Sequence, residues 1–353
     1  MLKKVLSSLL IATSLAAVGI ASAETKVGFV YVGPVGDHGW SYQHDQGRQE
    51  LEKNLGVKTT FVESVSEGAD AERVIRQLAA AGNDVIFTTS FGYMNPTLKV
   101  AKKFPKIKFE HATGYKRSKN VSTYSARFYE GRAILGTIAG KMTKSNVIGY
   151  IGSFPIPEVI RGIDALTIAA RKVNPDVKVK VIWVNSWFDP GREGDAAKTL
   201  IDQGADIITQ HTDSPAPIQV AEKRGVFAFG QASDMNQFGK KAHLTSIIDN
   251  WADYYTARVK AAQDGKWEST DTWGGIKDGM VEMAPYSDLV PKDVQELADK
   301  VKASIVDGSF HPFQGPIKNQ KGELVVKEGE TLSDGDLAKL KWYVEGVEGS
   351  IPK

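Results

Sequence analysis

The chain predicts an α/β protein built as two doubly wound parallel-sheet lobes joined by a hinge. Three observations carry that expectation. Short β-rich runs alternate with helical patterns for most of the length, which is the signature of βαβ units and a parallel sheet. The pattern restarts at Asn146-Val-Ile-Gly-Tyr-Ile151. Finally, Leu78-x-x-x-Gly82-x-Asp84-Val-Ile recurs as Leu200-x-x-x-Gly204-x-Asp206-Ile-Ile. In each copy a helix ends at a glycine suited to a C-cap and leads into a buried strand.

The first element is not part of the fold. Met1-Leu2-Lys3-Lys4 is a short basic start, Val5 to Ile20 is almost wholly apolar, and Ala21-Ser22-Ala23 supplies small residues. That is the layout of a secretory leader, and the apolar run falls short of the roughly 20 residues a bilayer span needs. The mature chain is therefore expected to begin near Glu24 and to work in the periplasm. No cysteine is present, so disulfides, thiolate metal sites and a lipid-attachment cysteine are all excluded.

Strands are expected at 26–32, 59–65, 84–89, 106–110 and 121–126, with helices at 41–55, 69–81 and 131–142. After the restart, strands follow at 178–185, 206–210, 226–229 and 244–248. Lobe 1 then spans 24–125 plus about 251–275, and lobe 2 spans 126–250 plus part of 276–330, with 331–353 as a C-terminal extension. Crossing segments are expected near 124–128 and 248–254.

Charge excludes other classes. The chain has 44 Lys+Arg and 42 Asp+Glu, and the excess is Lys3 and Lys4. Beyond the leader the protein is formally neutral, without a nucleic-acid footprint. The six histidines include no i,i+4 pair, and no H-E-x-x-H, G-x-S-x-G, P-loop or G-x-G-x-x-G pattern occurs, so neither a metal nor another cofactor is expected.

Ligands of open α/β sheets bind outside the carboxyl ends of the strands, which directs attention to the loops. The first strand is followed by Gly33-Pro-Val-Gly-Asp37-His38-Gly39-Trp40-Ser41, the third by Ser90-Phe91-Gly92. The second lobe offers Gly152-Ser153-Phe154, Trp187-Phe188-Asp189, Gln210-His211-Thr212-Asp213, Gln231-Ala232-Ser233-Asp234 and Ile248-Asp249. These loops are aromatic and acidic, which suits a flat neutral or cationic ligand carrying N–H or O–H donors. A sugar and a purine both answer that description. Trp40 and Phe91 facing Trp187 or Phe188 would sandwich a planar base, each stack being worth about 1–3 kcal/mol, while Asp37, Asp213, Asp234 and Asp249 accept from its edge. Bland readings stand beside these: strand-end aromatics also fill lobe cores, Asp37 also caps helices, and Glu130 also suits the first turn of a helix.

The ordered set Gly-Asp37-His-Gly-Trp40-Ser, Thr-Ser-Phe91-Gly-Tyr, Ala-Arg127-Phe-Tyr129-Glu130-Gly, Tyr-Ile-Gly-Ser153-Phe-Pro, Trp187-Phe-Asp-Pro-Gly, Gln-Ala-Ser-Asp234-Met-Asn and Leu-Thr-Ser-Ile-Ile-Asp249 resembles the basic membrane protein (BMP) family. These are substrate-binding proteins of ABC importers related to the PnrA purine-nucleoside lipoproteins. The resemblance covers essentially the whole mature chain. It implies a type I periplasmic-binding-protein fold, a purine nucleoside or nucleobase as ligand, and an ABC permease in the inner membrane as partner to a monomeric receptor with no catalysis of its own. By position it implies that the base stacks on Trp40 and one of Trp187 or Phe188, with Asp234 matching the family's ligand-binding aspartate. The sequence departs from the family in three ways. It has no lipidated cysteine, its first loop reads Asp37-His-Gly-Trp-Ser41 rather than Asp-x-Ser-Phe-Asn, and Asp249 stands where nucleoside-binding members carry a lysine. An extra acceptor suits an amine-bearing base, adenine first. A sugar binder of the same fold, an exported nucleoside hydrolase and a sensory subunit are the rival expectations.

Overall fold

The computed structural model describes residues 24–36 and 38–352; the expected leader and Asp37 lie outside the described residues. The chain begins with β1 (Lys26–Val30), α1 (Trp40–Leu55), β2 (Lys58–Val62), α2 (Ala69–Ala80), β3 (Val85–Thr88), α3 (Met94–Ala101), β4 (Lys108–Ala112) and β5 (Val121–Ala126). It continues with α4 (Phe128–Met142), β6 (Val147–Gly152), α5 (Pro157–Val173), β7 (Lys178–Trp183), α6 (Pro190–Asp202), β8 (Ile207–Gln210), α7 (Ala216–Arg224), β9 (Phe227–Gly230) and β10 (His243–Asp249). The remainder supplies α8 (Ala252–Gln263), β11 (Asp271–Gly274), β12 (Val281–Met283), α9 (Lys292–Asp307), β13 (Ile317–Lys318), β14 (Leu324–Val326), α10 (Asp334–Leu337) and β15 (Val347–Glu348).

Among the described residues all of these strands but β13 and β14, which pair with each other, form two large sheets. One runs β11-β5-β4-β3-β1-β2, the other β12-β10-β9-β8-β6-β7-β15. Every pairing within them is parallel except β12 against β10. Central strands such as β3 and β8 are buried along their whole length, as strands covered by helices on both faces must be.

The repeated Leu–Gly–Asp motif has a shared physical role. Gly82 and Gly204 take φ of 81° and 98°, a left-handed conformation that costs glycine little. The aspartates that follow tie down the start of a neighbouring segment. Asp84 accepts from the Lys26 amide at 2.9 Å, and Asp206 accepts from the Lys144 and Ser145 amides at 2.6 and 2.9 Å.

Two features depart from the sequence reading. No helix was expected between 89 and 106, yet α3 occupies Met94–Ala101. It is short, and Pro96 interrupts its pattern, but proline is tolerated in a first turn where the amide has no helical partner. The expected C-terminal extension, as far as residue 352, packs onto the second lobe. Val347 and Glu348 pair with Val179 and Lys180 at the edge of the second sheet, and Leu340, Tyr343 and Val344 are buried. The amide of Val344 donates to the buried carboxylate of Asp164 at 3.0 Å, which removes one lone pair from an otherwise costly site. Crossings between the sheets lie at Ala126–Phe128, Asp249–Ala252 and Gly274–Val281.

Candidate functional site

The carboxyl ends of both sheets face one cleft, and the lobes are closed over it. Gly39 packs against the Asp213 backbone so tightly that a Cβ there would lie 2.8 Å from Asp213 Cα and closer still to its carbonyl oxygen. Ser233 Oγ donates to the His38 carbonyl. The indole N–H of Trp187 reaches Glu67 Oε1 at 3.3 Å.

Between these contacts lies a small cavity. From the first lobe it is lined by Val32, Trp40, Ser90, Phe91 and Thr113; from the second by Glu158, Trp187, His211, Asp213 and Gln231. Trp40 opens α1, and its indole N–H donates to the Thr89 carbonyl at 2.6 Å. Ser41 faces inward and accepts from the Gly33 amide at 3.0 Å, which shapes the loop after β1. Gly92 does not line the cavity. Its amide donates to Glu67 Oε1 at 3.0 Å, and a side chain there would overlap that carboxylate.

The second wall carries charge. Glu158 sits in the first turn of α5 and is only 8 % exposed. Its Oε1 lies 3.6 Å from His211 Nε2. Burial pushes the His211 imidazole below its ordinary pKa, so the ring is neutral at pH 7. Behind this wall Arg132 is fully buried and donates to Thr209 Oγ1 at 3.2 Å, to the Gln210 carbonyl at 2.8 Å and to Gln231 Oε1.

Asp249 is the most exacting group. It ends β10 with no solvent exposure, and neither carboxylate oxygen has a hydrogen-bond partner among the described residues. Burial holds its carboxyl well above the ordinary range, the Arg132 charge opposes that shift, and Glu158 adds to it. A buried carboxyl is tolerable when it keeps its proton or when a donor reaches it. Ser153 is likewise fully buried, and its Oγ has no partner among the described residues.

The remaining expected site residues lie elsewhere. Phe188 lines an adjoining shallower recess with Trp187, Phe154 and Glu67. Tyr129 is buried against Trp273, His311 and Phe313, with its hydroxyl accepting from Arg127 at 2.7 Å. Glu130 accepts from the Ile276 amide at 2.8 Å and so holds the third crossing. Asp234 is exposed and accepts from the Asn236 amide at 3.0 Å, the local turn that aspartate favours. Tyr129, Glu130 and Asp234 therefore do not line the cavity. Sequence reasoning missed Glu158, although Pro157-Glu158 directly after the Gly152-Ser153-Phe154 loop is a helix-start signal aimed at the cleft. Among the described residues, no group of three or more histidine or acidic side chains could hold a metal ion, and no helix is long and apolar enough to cross a membrane.

Two similar lobes closed over a small cavity, one wall aromatic and the other acidic, define a solute-binding protein of the periplasmic-binding-protein fold. The chain belongs to the Bmp family, the PnrA-like substrate-binding proteins of ABC transporters, which its residues 24–312 match. It is 58 % identical over 339 residues to a purine-binding protein of Brucella abortus, covering 95 % of this chain and 97 % of that one. It is 37 % identical over 337 residues to an ABC transporter protein of Haloferax volcanii provisionally assigned to glucose, covering 95 % and 83 % of the two chains. A solute-binding protein of an Aeropyrum pernix ABC transporter superposes with a TM-score of 0.70 at 19 % identity, over 84 % of this chain and 93 % of that one. That likeness establishes the fold. The family is one of substrate-binding proteins.

Proposed function

We propose that this protein is a monomeric periplasmic receptor of an ABC importer, and that it clamps a purine between its lobes for delivery to a permease in the inner membrane. A free amine-bearing base, adenine first, is favoured over a nucleoside. The observation that carries this reading is the cavity itself: Trp40, Phe91 and Trp187 supply flat apolar surface, Glu158 and Asp213 supply carboxylate oxygens on the second wall, and Asp249, whose carboxyl has no hydrogen-bond partner among the described residues, is buried behind it. A ring with several N–H donors suits such a wall, because a buried acceptor left without a donor costs about 1–3 kcal/mol. The Brucella relative, more than half identical, is named for purine binding.

Ligand-driven closure follows from the geometry. Trp40 and Trp187 come from opposite lobes, so a base gains both faces only when the lobes meet. A ligand shifts a conformational equilibrium only through such differential affinity. The permease then reads the closed form. A second reading, a sugar or other polar solute, is favoured by the glucose assignment of the Haloferax relative.

A thermal-shift screen across purines, pyrimidines, nucleosides and hexoses separates the two. A ligand at a thousandfold excess over its dissociation constant stabilises the native state by about 4 kcal/mol, so the true class stands clear. Adenine is expected to lead, and the ligand extracted from purified protein should absorb in the ultraviolet as a purine does. A hexose leading the screen, with no absorbing extract, overturns the purine reading.

A further inference from the structure

Trp251 lies in the crossing between β10 and α8 and does not line the ligand cavity. It is 1 % exposed, and its indole N–H has no hydrogen-bond partner among the described residues. Buried tryptophans usually satisfy that donor, so this ring is held in place by packing alone. It lies parallel to His44 of α1, with centroids 4.8 Å apart and planes within 9°. It meets Trp40 edge-on at 5.6 Å and 76°, and Tyr124 at 5.5 Å and 75°. Gly47, on the same helix α1, leaves no slack at the base of the side chain, since a Cβ there would lie 3.1 Å from Trp251 Cβ.

A second crossing contributes in the same way. Phe128 opens α4 directly after the Ala126–Phe128 crossing. Its ring meets Trp40 at 5.9 Å and 65°, Trp251 at 6.3 Å and 73°, and His211 on the opposite cavity wall at 6.2 Å and 79°. Two of the three crossings therefore place an aromatic ring against Trp40, and one of those rings also touches the far wall. When the lobes part, the backbone of a few crossing residues must absorb the rotation. Trp251 is one of those residues, yet its ring is locked to His44 in the first lobe.

We infer that Trp251 is a positioning residue for the ligand: its edge-on contact transmits the state of the hinge to the tilt of Trp40, so that the stacking platform is set only when the lobes are closed. The inference rests on the proposed function in taking Trp40 as the platform. It adds a residue that never touches the ligand.

A double-mutant cycle on the full-length protein tests this, with adenine affinity measured by calorimetry for the unaltered protein, Trp251→Leu, Trp40→Ala and the double variant. Trp251→Leu is expected to weaken adenine by about tenfold, and Trp251→Phe, which keeps a ring at the contact, by about threefold. In the Trp40→Ala background either change should alter affinity less than twofold, because contacting residues couple and nothing is left to position. Far-UV circular dichroism and ligand-free melting report whether each variant folds. If Trp251→Leu does not fold, the cycle with Trp251→Phe decides. Unchanged affinity in the single variants, or single effects that simply multiply in the double variant, overturns the coupling while leaving purine binding intact. If no purine binds the unaltered protein, the proposed function falls and the coupling falls with it.

Discussion

The two walls of the cleft differ in kind. The first lobe offers Val32, Trp40, Ser90, Phe91 and Thr113, with no ionisable side chain among them. The second offers Glu158, His211 and Asp213 beside Trp187 and Gln231, with Arg132 and Asp249 buried behind. One wall presents shape and the other presents chemistry. Damage to the first should weaken every flat ligand alike, whereas damage to the second should change which flat ligand is preferred.

Blocking the meeting of the walls should have the largest effect. Gly39→Val places branched carbon where even a Cβ would lie 2.8 Å from Asp213 Cα and closer still to its carbonyl oxygen, so the variant cannot close. Adenine affinity should fall by about a hundredfold or more, as expected when the binding-competent state is lost. Ligand-free melting should be unchanged, and small-angle scattering should show a more open particle. Retained affinity would show that closure around Gly39 is not needed.

Removing the platform comes next. Trp40→Ala is expected to weaken binding at least tenfold, consistent with a stack worth about 1–3 kcal/mol per base. The loss should be equal for adenine and hypoxanthine. Unequal losses would move recognition chemistry onto the first wall.

Asp249→Asn probes the second wall, and here the adenine-to-hypoxanthine ratio should shift by several-fold. It also predicts a pH signature. Burial raises the Asp249 carboxyl, so the native state keeps this proton to higher pH than the unfolded chain does. Its contribution is full below the ordinary carboxylate range, near pH 4, and is lost as pH rises through the raised value. The variant escapes that loss. Its melting temperature minus that of the unaltered protein should therefore grow from pH 4 to pH 8 in ligand-free samples; a flat or falling difference refutes the buried, proton-holding carboxyl.

The smallest effect belongs away from both walls. Asp334 pairs two-pronged with Arg127 at 2.6 and 2.7 Å, but its side chain is 57 % exposed. Such pairs contribute about 1 kcal/mol or less. Asp334→Asn should lower the melting point slightly at pH 7 and not at low pH, because the Arg127 hydrogen bond holds this carboxyl below its ordinary range. Adenine affinity should stay within about twofold, since the pair lies outside the cavity.

What the sequence revealed divides along the same line. The parallel-sheet architecture followed from period and glycine punctuation, because Gly82 and Gly204 do in the structure what their spacing implied. The first wall was legible for a related reason: Trp40 ends the loop after β1 and Phe91 lies in the loop after β3, strands whose ends must face the cleft. The second wall was legible only in part. Asp213 and Trp187 lie in strand-end loops, whereas Glu158 reaches the cavity from the first turn of a helix. Asp234 looked equivalent to Asp249 in sequence, yet one turns outward to cap its own backbone and the other is buried at a strand end. Local hydrogen bonding decides that difference, and residue spacing does not encode it. The β7 edge that receives β15 depends on residues 168 positions apart in register, Val179 with Val347, beyond the reach of any local pattern.

The most direct test is a calorimetric titration of adenine into protein refolded free of endogenous ligand. One adenine per chain with saturable heat, and a negative heat-capacity change as apolar surface is buried on closure, is the expected result. Saturation by glucose, with none by adenine, hypoxanthine or adenosine, would contradict the account.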